Sequence, residues 1–325
     1  MSVLYKGEIL NTDLTKRANG GTEQMRARLL NNVENDLLKQ VAIHFSRPKE
    51  LYNDVPNMLY LHDLSEDPAI ESLRTDANKY DCFVFVSYWQ RDQFIQRFNL
   101  PYSKCVVIQN AIELQYQGPK EKPTDRINLI YHTTPHRGLE LVYPIFDKLC
   151  ELHDNIHLDV FSSFGVYGWE QRDVMFEPLF DRIKQHPNMT YHGAQSNQTV
   201  LEYLDRAHIF LYPSIWKETS CIALIEAMSS GVFSIYPSYG ALPETGSMVS
   251  NVGMYEYSED LNHNATSALN MTHNVISKQQ QDKDFIRNVL YNATSKISPH
   301  TIHKFKGDWE SLIKIIIERS ANGRK

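Results

Sequence analysis

The chain has 325 residues, 42% of them hydrophobic, with 33 Lys and Arg against 39 Asp and Glu for a formal charge of −6. That is apolar mass for two cores at the usual ~100–200 residues per domain, and the acidic balance excludes the basic footprint of a dedicated nucleic-acid binder. No apolar run reaches the ~18–20 residues of a membrane span, so any membrane contact is expected to be peripheral at most.

The opening segment MSVLYKGEIL lacks the apolar centre of a signal peptide. A cytoplasmic location is therefore expected, with Cys82, Cys105, Cys150 and Cys221 as reduced thiols. On that reading the N-x-S/T sequons beginning at Asn188, Asn197, Asn264, Asn270 and Asn292 are chance matches.

In chain order, Gly20-Gly21-Thr22-Glu23 precedes an amphipathic segment containing Met25, Leu29, Leu30 and Val33. Paired glycines there suit either backbone approach to an anion or a plain loop with Thr22 as N-cap. Lys16, Arg17, Arg26 and Arg28 around it read as a solvated basic face rather than a membrane anchor. Apolar runs at 41–45, 58–62, 83–87 and 106–109 predict strands buried on both faces of a parallel sheet. His62-Asp63 closes the second of these runs, at a carboxyl end where ligands gather in open α/β sheets.

Residues 115–126, QYQGPKEKPTDR, read as an interdomain linker, with two prolines, a glycine and a run of charges. Strands are expected again at 127–131, 156–161, 189–191, 209–212 and 233–236, and helices at 139–152, 199–207 and 221–228. The division is a first domain over 1–118, a second over 119–300 and a helix over 301–325. In that helix Trp309, Leu312, Ile313, Ile316 and Ile317 form one apolar face that needs a partner surface.

Two constellations in the second part could carry chemistry. Thr133-Thr134-Pro135-His136-Arg137-Gly138 offers hydroxyls, a guanidinium and a glycine at a helix entrance, a set suited to phosphate. Glu218 is expected in the loop after 209–212, and Glu226 inside the next helix, surrounded by Ile222, Leu224, Ile225 and Met228. A carboxylate among such neighbours needs a partner if buried, and a diol is a good one. The amides of Thr219, Ser220, Cys221 and Ile222 then point from the helix start at whatever lies beyond it.

The run from Tyr212 to Gly231 resembles the E-x7-E donor-binding motif of retaining GT-B glycosyltransferases, especially glycosyltransferase family 4, with Glu218 and Glu226 as its carboxylates. The ordered set extends the likeness over about residues 18–250: the Gly20-Gly21 loop, Leu61-His62-Asp63, Asn110-Ala111-Ile112, the 133–139 loop, Tyr191-His192-Gly193 and Gly240-Ala241-Leu242-Pro243-Glu244. The resemblance implies an α/β GT-B fold of two Rossmann-like doubly wound domains facing across a cleft, the first reduced, with the last helix packing back on it. It implies transfer of a sugar from a UDP- or GDP-type nucleotide-diphosphate donor to a hydroxyl of a glycan, lipid or protein, with retention at the anomeric carbon. Glu226 would bind the ribose, Glu218 the transferred sugar, and His62 would line the sugar pocket. Gly20, Gly21, Arg137 and the Thr219, Ser220, Cys221 and Ile222 amides would hold the diphosphate, and His192 and Gly193 the base. Catalysis would rest on His62, Glu218 and Arg137, with no metal or cofactor.

Asp282-Lys283-Asp284 spells the D-x-D of a different glycosyltransferase fold but is expected in a solvated helix. His132, His136, His300 and His303 lack acidic or thiol company and read as surface histidines. The alternative function is a non-catalytic nucleotide-sugar-binding or assembly protein on the same fold. A nicotinamide oxidoreductase would require a G-x-G-x-x-G fingerprint that the chain does not contain.

Overall fold

The continuous apolar runs become strands in two sheets of six. In the computed structural model, which describes residues 2–10, 20–113, 121–290 and 298–323, each sheet belongs to its own unit. One unit comprises Met1–Glu113 with Ser298–Lys325, and the other Leu114–Ile297.

The first sheet contains β1 (Val3–Tyr5), β2 (Glu8–Leu10), β3 (Ala42–Phe45), β4 (Asn57–Leu61), β5 (Cys82–Phe85) and β6 (Cys105–Val107) in the order β2-β1-β3-β4-β5-β6. Neighbours from β3 to β6 pair in parallel, whereas β1 pairs antiparallel with both β2 and β3. The β1–β2 hairpin is a feature the apolar runs do not announce. Its two-residue turn places Lys6 at φ 50 and Gly7 at φ 81, the pair of left-handed residues that matches strand twist.

The helix Ile302–Gly323 belongs to this unit and buries Trp309, Leu312, Ile313 and Ile316. Trp309 meets Tyr60 of β4 edge-on, with ring centroids 4.9 Å apart. Just before the helix, His300 is 3% exposed and donates from Nδ1 to Asn110 O at 2.7 Å, so it is a core residue and not a surface one. His303 is exposed.

The second sheet contains β7 (Ile127–Tyr131), β8 (Ile156–Val160), β9 (Met189–Tyr191), β10 (Ile209–Leu211), β11 (Phe233–Pro237) and β12 (Met254–Tyr255). All pairs are parallel, in the order β12-β11-β10-β7-β8-β9. The chain thus winds outward from β7 in one direction, then returns to place β10 on its other side. A crevice opens at such a reversal, beyond the carboxyl ends of the two central strands.

The expected linker departs from a free tether. Residues 114–120 lie outside the described residues, but from Glu121 the chain is tied to the second unit by polar bonds. Lys122 Nζ donates to the carbonyls of Leu204 (3.0 Å), Asp205 (3.2 Å) and Ser230 (2.9 Å), and Pro123 O accepts from His208 Nε2 at 3.0 Å. The D-x-D run also departs from expectation: Asp282 ends the helix Leu261–Gln281, and its carboxylate accepts from Asp284 N in the turn that follows. Among the described residues no helix is long and apolar enough to cross a membrane, and no group of three or more His, Cys, Asp or Glu could hold a metal ion.

Candidate functional site

The crevice between β7 and β10 is built by two loops that touch. After β7, Thr134 leads into a short 3-10 turn, Pro135–Arg137, which ends at Gly138 with φ 119. A Cβ on Gly138 would collide with Pro213 O of the loop after β10, so only glycine allows this approach in this conformation. Ile215 N bonds Arg137 O at 3.3 Å, locking the loops together.

The closeness brings Arg137 onto Glu218, 81 residues later. Arg137 Nη1 forms an ion pair with Glu218 Oε1, and the Tyr212 hydroxyl donates to the same oxygen. Glu218 is 3% exposed. Its backbone is fixed as well: Ala241 N donates to Glu218 O at 2.8 Å, and a Cβ on Gly240 would come within 2.6 Å of that oxygen. Burial disfavours the Arg137 charge, but Glu218 beside it holds the guanidinium well above its ordinary range. Burial first, and Glu218 second, push Tyr212 far up, so it stays a neutral donor.

In the loop that carries Arg137, several buried side-chain atoms have no hydrogen-bond partner among the described residues: Thr133 Oγ1, Thr134 Oγ1, His136 Nδ1 and Arg137 Nε. Buried polar atoms are nearly always satisfied, so a cluster of orphans at one crevice marks a place for a polar ligand. His136, expected at the surface, stacks on Phe164 (centroids 5.0 Å) and meets Trp216 edge-on at 4.7 Å. Burial holds its imidazole down at about 4. His132 packs on the Phe210 ring at 4.5 Å, and burial depresses it to about 3. Both departures from expectation have one cause, the aromatic rings of Phe210 in β10 and of Phe164 and Trp216 in the loops that follow, which cover the imidazoles.

Thr219 and Ser220 precede the helix Ile222–Ser229, for which Cys221 is the N-cap, its Sγ accepting from Leu224 N at 3.4 Å. Glu226 lies inside that helix, 5% exposed, and Asn197 Nδ2 donates to its Oε1 at 3.0 Å. Beyond β9, His192 is held on three sides. Its Nε2 bonds Asp159 Oδ1 at 2.7 Å, its ring stacks on Phe161 at 4.2 Å, and Tyr203 meets it edge-on at 4.8 Å. Gly193 follows with φ 66.

In the first unit, Gly20 caps the helix Gly21–Asn32 with φ −74, an ordinary extended conformation. Thr22 is not the N-cap: its hydroxyl lies 3.3 Å from Ser46 Oγ, which in turn lies 3.4 Å from His62 Nδ1. Ser46 holds a left-handed φ of 63 at the end of β3. Burial holds His62 neutral, at about 3. Burial pushes the Asp63 carboxyl up to about 6 against the pull of Arg47, whose Nε is 3.9 Å away. Of the expected basic face, Lys16 and Arg17 lie outside the described residues. Arg28 is buried and donates to Ala111 O, and Arg26 donates to Ser2 at 2.8 Å.

The site residues read from sequence therefore fall into two sets. Arg137, Glu218, Thr219, Ser220, Cys221, Ile222, Glu226, His192 and Gly193 gather at the carboxyl edge of the second sheet, while Gly20, Gly21 and His62 belong to the first unit. Tyr212, Asn197, Asp159 and Ser46 complete them, and sequence reasoning misses all four. Asn197 stands out only as a sequon, and the other three carry no local pattern.

Residues 114–288 match the family model described as glycosyl transferases group 1. The chain belongs to this family. The solved structures that resemble it share the GT-B fold. A glycosyltransferase from Rickettsia africae superposes with a TM-score of 0.66 at 13% identity, over 85% of this chain and 76% of that one. The pneumococcal O-GlcNAc transferase GtfA, solved with UDP and GlcNAc, gives 0.61 at 11% identity over 81% and 53%. Anabaena HepE with UDP-glucose gives 0.59 at 15% over 82% and 72%.

Among curated proteins, a phosphatidylinositol N-acetylglucosaminyltransferase subunit of Arabidopsis thaliana is 26% identical over 168 residues, 50% of this chain and 36% of its own length. Its Homo sapiens counterpart is 25% identical over 172 residues, 52% of this chain and 34% of its own. The matched segment of this chain thus spans about a third of the length of those relatives.

Proposed function

We propose that the chain moves a sugar from a UDP- or GDP-sugar to a hydroxyl of an acceptor glycan, lipid or protein, on the cytoplasmic side, with retention of anomeric configuration as in family 4. The observation that carries this reading is the Arg137–Glu218–Tyr212 cluster at the strand-order reversal, on a loop with several orphaned polar atoms. Arg137 and the start of the helix Ile222–Ser229 supply fixed positive charge where a leaving diphosphate gathers negative charge. These groups serve in place of a metal.

Glu218 accepts from the hydroxyls of the transferred sugar, Glu226 from the ribose, and His192 with Gly193 borders the base. His62, held neutral by burial, presents an uncharged imidazole to the sugar. Substitution on one face, through an oxocarbenium-like state in which the departing phosphate takes the acceptor's proton, needs no covalent carboxylate intermediate.

The test is product formation from a panel of UDP- and GDP-sugars with glycan and lipid acceptors, with and without EDTA. The names of the curated relatives put UDP-N-acetylglucosamine and phosphatidylinositol in that panel. Expected are turnover that survives EDTA, an axial or equatorial product bond matching the donor's, and loss of turnover in Glu218→Gln. Donor binding without turnover on any acceptor would favour the non-catalytic alternative. An inverted product would overturn the retaining assignment.

A further inference from the structure

We infer that Tyr212 is the positioning residue that confines the Arg137–Glu218 pair to one carboxylate oxygen and so leaves the other to a hydroxyl of the transferred sugar. The inference rests on the reading of Glu218 as the sugar's partner. Arginine and carboxylate groups commonly meet through two parallel N–H···O bonds. Here they meet at a single point, Arg137 Nη1 on Glu218 Oε1, and the Tyr212 hydroxyl donates to that same oxygen. Among the described residues no hydrogen bond is made to Glu218 Oε2, and Arg137 Nε has no partner. The pair therefore engages one oxygen and one nitrogen. What remains is one oxygen for a hydroxyl and the Nε side of the guanidinium for the diphosphate.

Tyr212 can hold that oxygen because it is itself held. It follows β10 and is fully buried, its ring stacked on Phe210 with centroids 5.1 Å apart and tilted against Tyr131 at 6.3 Å. Its backbone N donates to Ile235 O of β11 at 2.9 Å. Burial, with Glu218 beside it, keeps the phenol protonated, so it acts as a donor. The Cys221 thiol, also kept protonated by burial, is a further side-chain partner of this hydroxyl. The terminal torsion of a glutamate is otherwise a broad, roughly two-fold rotor, and a rigid phenol on Oε1 fixes it. Without the hydroxyl, the carboxylate turns until both of its oxygens face the guanidinium, the arrangement that an arginine alone favours. Oε2 is then occupied before a sugar arrives.

The experiment measures binding of UDP, UDP-glucose, UDP-N-acetylglucosamine, GDP and GDP-mannose by calorimetry on the full chain, without acceptor. Four proteins are used: the unaltered chain, Tyr212→Phe, Glu218→Gln and the double variant. The quantity read is the affinity of the nucleotide-sugar relative to the nucleotide of the same base, which cancels any change common to both. For the donor that binds, Tyr212→Phe should lower this ratio by about five- to tenfold, the value of one hydrogen bond. With Glu218→Gln already in place there is no ion pair to turn, and adding Tyr212→Phe should leave the ratio unchanged within about twofold. An unchanged ratio in Tyr212→Phe alone would overturn the inference, even if both ligands weaken together, since equal weakening marks a merely structural role. So would a further five- to tenfold loss on adding it to Glu218→Gln. If Glu218→Gln itself leaves the ratio unchanged, or the unaltered chain binds none of the ligands, the donor-site reading falls and the inference with it. Tyr212→Phe keeps the ring on Phe210 and leaves Glu218 its ion pair, and melting of the ligand-free variants confirms that each is folded.

Discussion

Replacing Glu218 by alanine removes a carboxylate that is 3% exposed and strands two groups at once. The Arg137 guanidinium, with 21% of its side chain exposed, loses its counter-charge, and the buried Tyr212 hydroxyl loses its acceptor. Removing one partner of a buried pair costs about 3–5 kcal/mol, and the partial exposure of Arg137 places this case at the lower end, near ~3–4 kcal/mol. A unit of this size loses ~2–4 °C of melting temperature per kcal/mol, so a drop of roughly 6–16 °C is expected. Glu218→Gln keeps the shape and an acceptor for Tyr212, and should lose only ~1–2 kcal/mol. In Arg137→Met/Glu218→Met neither charge is left behind, so most of the stability should return, with a coupling of at least ~2 kcal/mol in the double-mutant cycle. Thermal melting gives the midpoints, and hydrogen exchange of peptides from β7 and β10 assigns the loss to the second unit. A Glu218→Ala midpoint within ~2 °C of the unaltered chain would refute the reasoning, as would strictly additive single and double variants.

Gly138→Ala should weaken nucleotide binding by at least about tenfold, because its Cβ forces the Pro213 loop away and carries Arg137 from Glu218. Gly231→Ala, with φ 67 but nothing within 4 Å of the new Cβ, should cost only ~1 kcal/mol of backbone strain and leave binding intact. Denaturation and titration of the pair separate steric displacement from strain. His62, His132, His136 and His208 are held neutral by burial at about 3, 3, 4 and 4, whereas the unfolded chain takes up their protons near 6.5. Stability should therefore fall as pH drops from 6.5 toward 4. Asp63, raised to about 6, opposes this in the first unit by adding stability at acid pH that is lost as pH climbs through 6. His132→Phe, which keeps the ring on Phe210, should flatten the melting-temperature profile over that window. An unchanged slope would count against burial as the cause.

The central strand of the second unit is legible because a strand covered on both faces is mostly apolar, and 127–131 matches β7, buried at all five positions; 189–191 also matches β9, an edge strand with Thr190 exposed. The β1–β2 hairpin escapes because its strands have three residues each and its Lys-Gly turn lacks the Asn-Gly or Asp-Gly signal. The anchoring of 121–126 escapes because it is made by one ammonium and one proline carbonyl, and composition registers apolar anchors better than polar ones. Glu218, Glu226 and Arg137 stand out locally, each charged among residues that do not suit it. Their partners do not: the Arg137–Glu218 pair spans 81 positions and the Asn197–Glu226 bond 29, distances over which no periodicity connects two residues. Histidine is the least legible type, since the same side chain is exposed at His303 and buried at His300.

Lys122 has a consequence for the two helices it touches. Leu204 ends the helix Asn197–Leu204, and Ser230 is the C-cap of Ile222–Ser229, so the carbonyl ends of both converge on a single ammonium. Two negative dipole ends side by side repel, and a cation between them turns that repulsion into attraction toward a common point. The spacing of the helices at their far ends is thereby set by one salt-like knot. Asn197 and Glu226 ride on those same two rods, so the residue that receives the chain into the second unit also gauges the separation across which their hydrogen bond forms.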